Sequence, residues 1–128
     1  MKKVFFLIFI FSSCQTECDE LVYNNGITTK NGKRFTGNCK SFYSNGQLRS
    51  VQNYFDGIDD GKWIFYHPAE IVQTVGEFKM GKRVGTWKYF YNNGLIWKIN
   101  QYDSLGRKKG KWITYALDET IDTIVTFN

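Results

Sequence analysis

The feature that most constrains this chain is a glycine that returns about every twenty-four residues. Gly37, Gly61, Gly85 and Gly110 are separated by 24, 24 and 25 positions, and each opens the same order of side-chain types. Two places on stand Cys39, Trp63, Trp87 and Trp112, and five places on stand Phe42, Tyr66, Phe90 and Tyr115. Later columns hold Leu48, Val72, Ile96 and Ile121, then Val51, Val75, Ile99 and Ile124, then Tyr54, Phe78, Tyr102 and Phe127. A period of this size marks a repeat architecture, in which one small unit buries its apolar surface only against its neighbours.

Each unit reads as a β-hairpin. In residues 85–110 an aromatic and β-branched run turns back at Asn93-Gly94, continues to Tyr102 and ends in a basic turn closed by Gly110. Asn45-Gly46 and Asn93-Gly94 predict type I′ turns, which need positive φ at both central residues. The second unit has HPAEI at this place, predicting a wider turn with Pro68 outside the ladder, and the fourth has ALDET. Apolar columns of the second strand lie three apart, not two, so either a recurrent β-bulge or a sheet apolar on both faces is required. The leading glycines are expected at positive φ or at close backbone approaches. Residues 21–36, with Asn25-Gly26 and Asn31-Gly32, predict a degenerate capping hairpin. Residues 120–128 supply the last strand, an edge for a candidate homodimer, blunted by Asp118, Glu119 and Asp122. The expected fold is all-β: an elongated, twisted, single antiparallel sheet of stacked hairpin repeats at 37–60, 61–84, 85–109 and 110–128.

Ahead of the repeats, Lys2 and Lys3 precede an apolar run, Val4 to Phe11, followed by Ser12, Ser13 and Cys14. Eight apolar residues fall short of the roughly 20 that span a bilayer, and they match a signal-peptide apolar region. Residues 1–13 are read as that signal. FSSC resembles a bacterial lipobox, with Phe11 where Leu is commonest, which makes Cys14 the candidate lipidation site and residues 14–20 a short acidic tether. An ordinary cleaved secretory signal and a retained anchor are the alternatives. Two or three acyl chains would hold the protein stably on a membrane, in the cell envelope, facing the periplasm or the surface. Without Lys2 and Lys3 the formal charge of +5 becomes 5 − 2 = +3. No long block of like charge occurs, so no nucleic-acid partner is expected. Cys18 and Cys39 remain. They can pair in an oxidising envelope, or Cys39, at the place of the tryptophans, is a small buried apolar residue.

Residues that carry chemistry are sparse. His67 is the single histidine, and beside Pro68 it reads as a loop residue rather than a general base. GxSxG, HExxH and phosphate-cradling glycine loops are missing from the sequence. Asp56, Asp59 and Asp60 could collect calcium, but their spacing is not that of an EF-hand and the cluster occurs in one unit, so a solvated turn is the better account. No catalytic residue, cofactor or metal is expected. Tyr43, His67 and Tyr91, six places after their glycines, should share a face with Cys39, Trp63 and Trp87, either shielding backbone or forming a ladder for sugars. Trp97 stands in a column otherwise made of Arg49, Gln73 and Asp122, and an indole at a polar column is a candidate hot spot. Trp97, Tyr43 and Tyr91 are therefore the candidate contact residues.

The units FTGNCKSFYSNGQLRSVQNYFDG, GKWIFYHPAEIVQTVGEFKMG and GTWKYFYNNGLIWKINQYDSLG resemble MORN-repeat variants. The resemblance covers residues 23–128, implies a sheet of stacked hairpins, and brings no catalytic residues with it. Some members carry the label of antitoxin component of a toxin–antitoxin module. The leading expectation is a non-enzymatic envelope lipoprotein whose repeat sheet scaffolds an envelope protein partner. Binding of a glycan or anionic surface through the aromatics and basic turns is the first alternative, and an antitoxin-like component the second.

Overall fold

A computed structural model of the chain describes residues 15–128; the expected signal peptide and Cys14 lie outside the described residues. A 3₁₀ turn at Cys18–Glu20 leads into three short strands, β1 (Val22–Asn24), β2 (Ile27–Lys30) and β3 (Lys33–Arg34). The repeats follow as β4 (Gly37–Phe42), β5 (Leu48–Phe55), β6 (Ile58–Asp59), β7 (Gly61–His67), β8 (Ile71–Lys79), β9 (Lys82–Phe90), β10 (Ile96–Tyr102), β11 (Gly110–Tyr115) and β12 (Ile121–Phe127). All pairs between these strands are antiparallel, and the main sheet runs β12-β11-β10-β9-β8-β7-β5-β4, with β6 alongside β5. Among the described residues, no helix is long and apolar enough to cross a membrane.

The expectation of a single sheet is corrected at its start. β1, β2 and β3 form their own three-stranded sheet. It docks on the turn after β5, where Thr28 N donates to Gly57 O at 2.8 Å and Gly57 N to Phe35 O at 2.8 Å. A side chain at Gly57 would strike Thr28 O at 2.8 Å, so only glycine permits this approach.

The phase problem is solved by a bulge in every unit. Ser41 pairs Ser50 while Phe42 pairs Leu48, leaving Arg49 unpaired; Gln73, Trp97 and Asp122 are left out in the same way. The extra residue brings Leu48 and Val51, and their equivalents, onto one aliphatic face. Cys39, the three tryptophans of its column and Tyr54, Phe78, Tyr102 and Phe127 share the other face. Among the described residues, the buried apolar side chains, Cys39, Trp87 and Tyr102, all lie on this aromatic face. A single layer leaves the other side half-covered, with Ile121 and Ile124 exposed.

Turn chemistry differs from expectation. At Asn45-Gly46 and Asn93-Gly94 only the glycines have positive φ, 84° and 87°. Tyr43 N donates to Gln47 O and Gly46 N to Tyr43 O, a three-residue loop with a left-handed final residue rather than type I′. The asparagines serve by side chain instead: Asn45 Oδ1 accepts from Gln47 N and Asn93 Oδ1 from Leu95 N, each at 3.0 Å. True I′ geometry, positive at both positions, occurs at Asn25-Gly26, Asn31-Gly32, Asp56-Gly57 and Met80-Gly81. Nor is the second unit's turn wider. His67 pairs Ile71 across the same three residues, with Pro68 outside the ladder and Ala69 and Glu70 both left-handed.

Candidate functional site

Each unit is stitched to its neighbours by side chains. A two-residue excess at the leading glycines, whose φ values are 95°, 67° and 63° at Gly61, Gly85 and Gly110, swings the following indole toward the previous unit. Trp63 Nε1 donates to Asn53 O at 2.8 Å, Trp87 Nε1 to Glu77 O at 3.2 Å, and Trp112 Nε1 to Gln101 O at 2.9 Å. The ring column six places on reaches the other way: Tyr43 Oη donates to Tyr66 O, His67 Nε2 donates to Phe90 O at 2.8 Å, and Tyr91 Oη to Tyr115 O at 2.7 Å. The His67 bond fixes its proton on Nε2, since a carbonyl only accepts.

Two of the three candidate contact residues meet. Trp97, as the bulge residue of its unit, folds onto the aromatic face, with its ring centre 6.3 Å from Tyr89 and 6.1 Å from Tyr91. With His67, Gln73 and Thr74 of the preceding unit and Asn92 of the turn they wall a cleft of about 690 Å³. The cleft exists because the small Gln73 and Thr74 stand beside the large Trp97 and Tyr89 of the next unit. Its size is that of a ligand site rather than of a packing defect. Trp97 is 40% exposed, so its indole is available to a partner. Burial raises the Tyr89 hydroxyl above its ordinary pKa, with nearby Arg83 opposing. Tyr43 lies apart, two hairpins away, with its hydroxyl committed to Tyr66 O. The sequence gives each wall residue a column but cannot show the cleft, which joins residues from two units.

The other groups singled out above are placed as follows. Cys18 and Cys39 are joined in a disulfide. Asp56 pairs with Arg34 at 3.2 Å, and Asp60 Oδ2 accepts from Met80 N at 3.0 Å. Asp59 faces a second cavity of about 300 Å³ beside Tyr54 and Trp63. There burial raises its pKa, and burial together with Asp59 pushes Tyr54 up to about 12. The three carboxylates thus diverge, and among the described residues no group of three or more His, Cys, Asp or Glu is placed to hold a metal ion.

Comparison with known proteins agrees with this geometry. The family model described as MORN repeat variant matches residues 35–56 and 83–104, the hairpins β4–β5 and β9–β10, whose starts lie 83 − 35 = 48 residues, or two units, apart. Among curated proteins nothing matches. A solved structure, "Crystal structure of GtfA/B complex bound to UDP and GlcNAc", aligns with a TM-score of 0.34 and 9% identity over 84% of this chain, which spans 23% of that one. At that TM-score the likeness bears on neither fold nor function. Residues 35–56 and 83–104 are thus MORN repeat variants, and the same bulged hairpin recurs in the units beside them.

Proposed function

We propose that the chain is a non-enzymatic interaction module, held in the cell envelope by a lipid on Cys14, which docks a protein partner in the cleft walled by Trp97. The two matched MORN repeat variants support a repeat-based interaction role. The observation that carries the choice of site is Trp97 itself. Where the other units present Arg49, Gln73 and Asp122, it offers a 40%-exposed indole beside two tyrosines. Exposed Trp and Tyr beside a cavity are the residues that dominate binding energy in interfaces. The glycan reading draws on the same aromatic walls, since sugar rings stack on indole and phenol faces.

The test is site-specific. A photo-crosslinking phenylalanine analogue at position 97, in the full chain expressed in its native envelope, is expected to yield one dominant protein adduct. Trp97→Ala should also lose that protein from pull-downs, at a cost of about 2 kcal/mol or more in affinity. Crosslinks no more frequent than from the exposed Leu105, or wild-type recovery by Trp97→Ala, would reject the cleft as the docking site. Intact mass of the membrane-purified protein, beginning at Cys14 with acyl chains or at Met1 without them, decides the anchor.

A further inference from the structure

We infer that the segment seated in this cleft is acidic: a peptide stretch with carboxylates flanking an aromatic or aliphatic residue. The inference rests on the cleft being a protein-docking site and adds the chemistry of what docks.

Among the described residues, three cations of the aromatic face each stand over an indole. Lys98 Nζ lies 4.6 Å from the Trp97 ring centre, the Arg83 guanidinium 4.7 Å from Trp87, and Lys108 Nζ 4.7 Å from Trp112. Strand pairing fixes the face: Lys98 opposes Tyr89, Arg83 opposes Phe78 and Lys108 opposes Tyr102. Arg83 and Lys108 also hold equivalent places, two before a leading glycine, so the arrangement recurs. Among the described residues the ion pairs are Lys30–Glu20, Arg34–Asp56 and Arg107–Asp103, which leaves all three of these cations without a carboxylate within 4.0 Å. A ring beneath an ammonium or guanidinium holds its position without neutralising it.

At the cleft the two nearer cations bracket one wall. Lys98 Nζ is 6.0 Å from the Tyr89 ring centre, and Arg83 Nη1 is 3.5 Å from the Tyr89 hydroxyl. Among the described residues, no Asp or Glu lines the cleft. At the matching positions of other units a carboxylate stands instead: Asp59 in the first unit where Arg83 stands in the second, and Asp122 in the fourth where Trp97 stands in the third. Like charges gathered on one face attract a partner of opposite sign and fix its register. The cleft volume takes the body of one or two side chains. The amides of Gln73 and Asn92, which both donate and accept, match a peptide backbone rather than a bare polyanion.

Binding of the purified chain is measured against immobilised poly(Glu,Tyr), poly(Lys,Tyr), polygalacturonate and phosphatidylglycerol vesicles. Poly(Glu,Tyr) should bind, several-fold more weakly as NaCl rises from about 50 to about 500 mM. Lys98→Gln and Arg83→Gln should each weaken it about tenfold while the thermal midpoint stays unchanged. The inference is overturned if poly(Glu,Tyr) does not bind, if poly(Lys,Tyr) binds as well, if neither charge variant matters, or if polygalacturonate or vesicles bind more tightly. Crosslinks from position 97 that survive the two charge variants leave the docking site standing and remove the acidic assignment. Loss of those crosslinks, with the charge effects intact, does the reverse.

Discussion

Glu119 occupies the left-handed position that Gly46, Gly94 and Gly106 fill in the matching turns, at φ 65°. A side chain there costs what glycine avoids, so Glu119→Gly should raise stability by about 0.5–1 kcal/mol, visible as a higher thermal midpoint. This strain is hidden in the sequence because ALDET carries no Asn-Gly signal. It becomes visible only once Asp118 Oδ1 is seen to accept from Thr120 N at 3.0 Å, as Asn45 and Asn93 do in their turns. The same reasoning explains the misassigned turns: Asn-Gly fits I′ by backbone, yet here asparagine is used for its side-chain acceptor. Asp103 does this work most fully. The Arg107 N–H, the Arg107 guanidinium and the Leu105 N–H hold its pKa below the ordinary 3.8. A lowered carboxylate stabilises the fold above its unfolded pKa and loses that contribution as pH falls through its folded value. The Leu105 and Arg107 amides should therefore stay protected from hydrogen exchange at pH 5 and lose protection only below about pH 4. Equal protection well below that range would remove the carboxylate from the account.

The hairpin is the element that sequence revealed most fully, because its columns of side chains follow strand periodicity. The three-residue spacing of the apolar columns required either a bulge or a sheet apolar on both faces, and a bulge does lie between those columns, at Arg49, Gln73, Trp97 and Asp122. What spacing could not show is the second irregularity at each leading glycine, since it adds two residues and leaves the faces unchanged. That irregularity brings Trp87 flat against Gly76, where an added Cβ would stand 2.1 Å from the indole. Gly76→Ala should therefore cost about 1–3 kcal/mol or more, far above a typical strand Gly→Ala, measured by urea unfolding. Pairing it with Trp87→Leu should recover part of the loss, since the two side chains compete for one space. Simple additivity would show that the contact is not the cause.

At the scale of the whole molecule, the sheet has one end closed by the chain itself. Lys40 N donates to Thr16 O at 3.0 Å, Glu17 bridges Lys40 in parallel, and the Cys18–Cys39 disulfide locks that segment along β4. Closing a loop of 21 residues stabilises by about 3 kcal/mol through the unfolded chain. Cys18→Ala should lose about that much in denaturant unfolding, and the wild type in reductant should match it; a loss under 1 kcal/mol would mean that the bond is idle. The bond has a mechanical side as well. Residues 19–38, with all of β1, β2 and β3, lie inside the covalent loop. A pull on the chain ahead of Cys18 enters the main sheet directly at Cys39, and the opening three-stranded sheet carries no tension. Under load, then, this small sheet is out of the force path, free to keep its contacts with the Gly57 turn while the repeats alone bear the strain.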